Sequence, residues 1–140
     1  MKIVYSGIYI NTTNMERLVQ FYDKILSKEV SRGYETRWAE FDSFGIMNLE
    51  YDFDRMDQDE FKTHVDQAYL NFLTSWQHEN KAKVVIVFET DDIKAAYLHI
   101  RETASPSEMT DIMMVYFSVK YTFFQFLDPE GNLVEVFQFD

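Results

Sequence analysis

The stretch that most constrains this chain runs from Phe123 to Phe137, where two apolar runs flank Asp128-Pro129-Glu130-Gly131-Asn132. Regular structure cannot cross that insert. Pro129 fixes its own φ and lacks an N–H, while Gly131 and Asn132 tolerate positive φ. The two runs therefore read as antiparallel strands joined by a hairpin loop. On the returning strand Leu133, Glu135 and Phe137 share one face, and Val134 and Val136 share the other. Glu135 is thus a carboxylate among apolar neighbours. It lies either at a sheet edge facing water or aimed into a concave site.

The rest of the composition narrows the class. Of the 140 residues 46% are hydrophobic and 17% aromatic, with 13 Phe and 9 Tyr, enough to bury a core and to argue against disorder. No apolar run approaches the roughly 20 residues that span a bilayer. Met1-Lys2-Ile3-Val4-Tyr5 enters a strand-like run without a signal-peptide layout, so a cytoplasmic location is expected. Without cysteine there is no disulfide, thiolate metal site or Cys nucleophile. A net charge of −11 repels nucleic acid and attracts metal ions or cationic small molecules, although solubility alone accounts for most of it.

Along the chain one succession of patterns occurs twice. Ile3 to Ile10 reads as a strand with Tyr5, Gly7 and Tyr9 on one face. Asn14 can cap a helix whose Met15, Leu18, Tyr22 and Ile25 recur at helical spacing through about Ser27. Strands are expected around Lys28 to Arg32, Glu35 to Phe41 and Ile46 to Phe53. From Lys83 the pattern restarts: a strand with Val84, Ile86 and Phe88, a helix capped at Asp91-Asp92, strands over Ile112 to Phe117 and Lys120 to Leu127, then the hairpin return. Between the halves, Phe61, Val65, Ala68, Phe72 and Trp76 predict one amphipathic helix, serving as core cover, dimer contact or lid. The expected fold class is α+β, a single domain over 1–140. Module one (1–53) and module two (81–140) are βαβββ units forming a curved mixed sheet around a cup, joined by the helical linker 54–80.

Two segments also carry a resemblance. Phe126-x-Asp128-Pro129-Glu130-Gly131-Asn132-x-x-Glu135, with Asn14-Met15-Glu16 and Phe21-Tyr22 in the first helix, resembles the vicinal oxygen chelate superfamily of glyoxalases, bleomycin-resistance proteins and extradiol dioxygenases. The resemblance implies a homodimer, a site in the cup and a metal-ligating role for the final Glu. It places the usual first ligand of each half on Gly7 and Val85, neither of which can bind a metal. Strand parity pairs Glu50 with Glu135, so any metal would rest on those two carboxylates. Without imidazole they suit zinc, nickel or iron poorly and would hold a hard ion weakly. No cofactor is therefore expected, a divalent metal being the disfavoured alternative. Glyoxalase chemistry needs a metal to polarise a carbonyl and a base to move the proton. Glu135 is the best candidate base, and His64, His78 and His99 read as surface or packing residues.

What remains is an aromatic cup with carboxylates: Glu50 and Glu135, with Tyr5, Gly7, Tyr9, Trp38, Val85, Val87, Tyr121 and Phe123. Such a lining suits a flat ligand, cationic or aromatic. The expected function is metal-independent small-molecule binding, with sequestration of a basic antibiotic as one form of it. A binding protein is favoured over an enzyme. The alternatives are a metal-dependent lyase or isomerase with an atypical site, and a non-catalytic interaction module whose cup is filled by side chains.

Overall fold

The computed structural model describes residues 1–26, 29–80 and 82–140. The expected helix end at Ser27, strand start at Lys28 and module boundary at Lys81 lie outside them. Module one comprises β1 (Ile3–Thr12), α1 (Met15–Leu26), β2 (Arg32–Tyr34), β3 (Trp38–Glu40) and β4 (Phe44–Asn48). α2 (Leu49–Arg55) leads from module one into the linker, which continues as α3 (Asp59–Lys62), α4 (Gln67–Thr74) and α5 (Trp76–Glu79). Module two comprises β5 (Val84–Thr90), α6 (Ile93–Thr103), β6 (Met113–Tyr116), β7 (Lys120–Leu127) and β8 (Leu133–Phe139). All eight strands join one curled mixed sheet in the order β2-β3-β4-β1-β5-β8-β7-β6. β1 and β5 meet antiparallel at its centre, and each pairs parallel with the last strand of its own module. The fold is α+β, two βαβββ units around a cup.

The repetition extends to individual hydrogen bonds. Asn14 Oδ1 accepts from Arg17 N, and Thr12 Oγ1 accepts from Asn14 N. Asp92 Oδ1 accepts from Ala95 N, and Thr90 Oγ1 accepts from Asp92 N. Each half thus turns from its first strand into its helix by the same Thr-x-Asn/Asp device, which satisfies amide donors orphaned at the helix start. These caps align Gly7 with Val85 and Tyr9 with Val87 across the halves.

Three expectations need correction, the first being the strand expected around Lys28 to Arg32, since β2 runs Arg32–Tyr34. The strand predicted over Ile46 to Phe53 stops at Asn48, whose side chain accepts from Glu50 N and starts α2. Alternating Met47, Leu49, Tyr51 and Phe53 imitated a strand, but Asn48 with Glu50 and Asp52 in the first turn is helix-start chemistry. The single helix predicted over 54–80 is instead a series of short ones, broken at 56–58, at Ser75 and at 63–66, where the chain extends. There Val65 bridges Val115, Tyr116 N donates to His64 O and Asp66 N donates to Met114 O, covering the open edge of β6. Asp66 then caps α4 by accepting from Tyr69 N.

The linker settles on the concave face. Phe61, Tyr69, Phe72 and Leu73 pack with Val85, Val87, Phe123 and Phe137 into the largest core cluster. Of the three roles open to the linker, core cover is the one visible here. It fills part of the cup, mainly against module two, and leaves open a cleft lined by both modules. On the convex face α6 buries Ile93, Ala96 and Ile100 against Phe124 and Val136, and α1 covers Ala39, Phe41 and Ile46.

If the duplicated caps are equivalent and independent, Asn14→Ala and Asp92→Ala each cost about 1 kcal/mol, and the double variant costs their sum. Urea unfolding midpoints of the three variants test this.

Candidate functional site

The concave face holds a cleft of about 550 Å³. Its floor is Glu135 on β8, 3% exposed, in register with Val87 on β5 and Gln125 on β7. Glu135 Oε1 accepts from the Tyr9 hydroxyl at 2.9 Å and from Gln125 Nε2 at 2.9 Å, while Oε2 accepts from the Tyr121 hydroxyl. Gln125 Nε2 also donates to the Tyr9 oxygen at 3.1 Å, and its Oε1 accepts from Trp76 Nε1 at 3.0 Å. One network thus ties β1, β7, β8 and α5.

A second buried cluster lies beside it. Arg37, in the β2–β3 turn, donates Nε and Nη2 to the two oxygens of Asp52 at 2.8 and 3.1 Å. The Tyr69 hydroxyl also donates to Asp52, and the guanidinium lies 4.1 Å from the centre of the Phe117 ring. Asp52 is fully buried, which this bidentate partner makes tolerable.

The electrostatics follow from enclosure. Burial raises the pKa of Glu135; hydrogen bonds from Tyr121, Gln125 and Tyr9 and the Arg37 charge oppose that rise without cancelling it. Burial, then the Glu135 charge, pushes Tyr9 and Tyr121 well above the usual tyrosine range. Burial does the same to Tyr69, with the Asp52 charge behind it. Burial disfavours the Arg37 cation, but Asp52 and Tyr69 outweigh it and hold its pKa above the ordinary value. At neutral pH the three tyrosines are neutral donors and Arg37 is charged.

Several predicted residues meet here: Gly7, Tyr9, Trp38, Val87, Tyr121, Phe123 and Glu135 all line the cleft. Three do not. Tyr5 is 64% exposed, because a bulge between Tyr5 and Gly7 reverses its side and sets it against Phe88 on the convex face. Val85 is fully buried in the core under the linker. Glu50 is exposed on α2. The counterpart of Glu135 is not Glu50 but Gly45: Gly45 lies beside Tyr9 as Glu135 lies beside Val87. A Cβ on Gly45 would come within 2.2 Å of the Trp38 indole, so the ring occupies the side-chain space of that position.

The fit of these residues to a metal follows directly. The positions that would hold it carry Gly7, Gly45, Val85 and Glu135. Gly7, at φ +156, has nothing within 4 Å of where a Cβ would stand, and Glu135 already accepts three hydrogen bonds. Among the described residues no group of three or more His, Cys, Asp or Glu could hold a metal ion. This donor set does not fit a divalent cation.

Arg37, Asp52, Tyr69, Gln125 and Gln77 escaped the sequence reading. Only Gln125 carried a signal, being a polar residue in Phe123-Phe124-Gln125-Phe126 that hairpin pairing sets across from Glu135.

A family comparison matches residues 4–136 to the Glyoxalase/Bleomycin resistance protein/Dioxygenase superfamily, and the chain belongs to it. Among solved structures, a glyoxalase/bleomycin resistance protein/dioxygenase superfamily member from Vibrio splendidus 12B01 is similar at 14% identity and TM-score 0.57, covering 99% of this chain and 98% of that one. A structure titled NAD-dependent benzaldehyde dehydrogenase from Legionella pneumophila is similar at 11% identity and TM-score 0.63, covering 99% and 100%. At these identities the likeness is one of fold. No curated protein gives a significant match. Among the described residues no helix is long and apolar enough to cross a membrane.

The raised pKa of Glu135 has a sign that can be tested. The folded state holds this proton more tightly than the unfolded chain does. Its contribution is therefore fully present below the ordinary carboxylate pKa and is lost as pH rises through the raised value. Glu135→Gln removes that loss, so its stability relative to wild type should grow across the same interval. Urea midpoints of both proteins from acid to neutral pH check this, and parallel curves would contradict it.

Proposed function

We propose that this chain is a metal-independent small-molecule-binding protein that takes a flat aromatic ligand into the open part of its cup. The observation that carries the reading is Trp38. Its indole stands where a second Glu135 would stand, edge-on to Tyr9 with ring centres 5.6 Å apart, so an aromatic wall replaces half of a ligand set. The remaining walls include Met47, Phe117, Phe123 and Phe137. A cleft of this volume is within the usual range for small organic ligands, and apolar walls with few polar groups are the usual lining.

The preference for a cationic ligand loses its main support. Glu50 is outside the cup, and Glu135 is engaged by three donors. The ligand is better described as aromatic than as basic. Sequestration of an antibiotic stays within this reading as one form of it, in a cytoplasmic homodimer. The interaction-module alternative is weakened by the open cleft. A metal-dependent lyase or isomerase is disfavoured by the donor set.

Trp38 and Trp76, the protein's two tryptophans, make the test simple. Trp38 lines the cleft and Trp76 bonds to Gln125. Titration with naphthalene, quinoline and proflavine should quench tryptophan fluorescence saturably for at least one of them. Trp38→Leu should weaken that affinity by about tenfold, the scale of one lost aromatic contact plus its buried area. Linear, unsaturable quenching by every compound would contradict the proposal.

A further inference from the structure

Three carboxamides line the cleft, and they are not alike. Gln125 is engaged at both ends, as described above. Asn11 donates Nδ2 to Ala82 O at 2.9 Å, which fixes its orientation. Gln77, on α5, is different. It is 3% exposed, yet its Oε1 is buried without a hydrogen-bond partner, and its Nε2 donates to no described residue. It is the only buried side-chain polar group among the described residues in that condition.

Buried acceptors are nearly always paired, because an unpaired one loses its water without compensation. Core packing alone would be served better by Leu or Met here. The adjacent residue shows the contrast: Trp76 reaches Gln125 and completes the Glu135 network. Gln77, one position on, adds nothing to that network while still lining the cleft. Gln77 lines an aromatic cavity with its acceptor sealed, so a rotation of its side chain is what presents the amide as a recognition group, one acceptor beside one donor pair.

We propose that Gln77 determines specificity in the cleft, its free carboxamide pairing with an N–H beside a C=O on a flat, uncharged ligand. This inference rests on the aromatic-ligand reading above and adds the ligand's polar edge. Amides, lactams and imides carry that edge, and the complementary geometry allows two parallel hydrogen bonds. A site built to pair such a group discriminates against an analogue lacking it, because the wall amide is then left unpaired.

The test uses three probes on the full chain: phthalimide, N-methylphthalimide and naphthalene. Phthalimide has the N–H, its N-methyl derivative retains the carbonyls without it, and naphthalene has neither. Wild type should bind phthalimide about tenfold more tightly than the N-methyl derivative, the scale of one paired buried acceptor. Gln77→Met should abolish that preference while naphthalene is still bound. Its melting temperature should equal or exceed wild type, because the unpaired polar group is gone. Gln77→Leu serves as a second variant if the Met protein does not fold.

Equal wild-type affinity for the two imides, with naphthalene bound, overturns this inference and leaves the aromatic cup intact. It would assign the Gln77 acceptor to an ordered water. A preference that survives in Gln77→Met also overturns it. Binding of none of the three probes defeats the aromatic reading and this inference together.

Discussion

Everything in the cup turns on how a single buried carboxylate is accommodated. Glu135 sits at the floor of the sheet with its oxygens held by Tyr9, Tyr121 and Gln125. An ionised carboxylate taken out of water is very costly unless donors replace the solvent. Here they come from β1 in one module, from β7 in the other and, through Gln125, from Trp76 in the linker. The network that satisfies Glu135 therefore joins both modules and the linker. Its donors engage the oxygens of the carboxylate that a metal ion would need.

The Arg37–Asp52 pair does related work on the module-one side. Asp52 lies on α2, where the expected strand gave way to helix, and Arg37 lies in the turn between two short strands. Their bidentate pairing, with Tyr69 donating from α4, pins the linker to module one. Replacing such a pair with apolar residues is often neutral, whereas removing one partner is not. The linker is held at one end by this pair and at the other by Trp76. Between them it lays Phe61, Tyr69, Phe72 and Leu73 over part of the cup, mainly against module two. What remains open is a cleft walled by aromatic rings on the side where a second carboxylate is replaced by Gly45 and Trp38.

The duplication was legible because it is written in local chemistry. Caps, helix periodicity and the closing turn are short-range signals, and Thr12-x-Asn14 and Thr90-x-Asp92 repeat them in matching places. The cup residues were less legible. A bulge next to Gly7 moved Tyr5 to the other face, and a bulge leaves little trace in a pattern of period two. Glu50 shares parity with Glu135 only on a strand that ends at Asn48. Arg37, Asp52 and Tyr69 come together from separate elements, so no spacing in the sequence could announce them. Gln77 looked like one polar position on an amphipathic helix, and only its enclosure gives it meaning.

The most direct test of the account is metal binding by the purified, undialysed protein. Elemental analysis is paired with thermal shifts on adding Ni²⁺, Zn²⁺, Mn²⁺ and Fe²⁺ to wild type and Glu135→Gln. A cation that binds only the folded state must raise the melting temperature. The account predicts substoichiometric metal and no shift in either protein, because Glu135 is engaged by Tyr9, Tyr121 and Gln125 and has no second ligand. Near-stoichiometric metal, or a shift present in wild type and lost in Glu135→Gln, would contradict it.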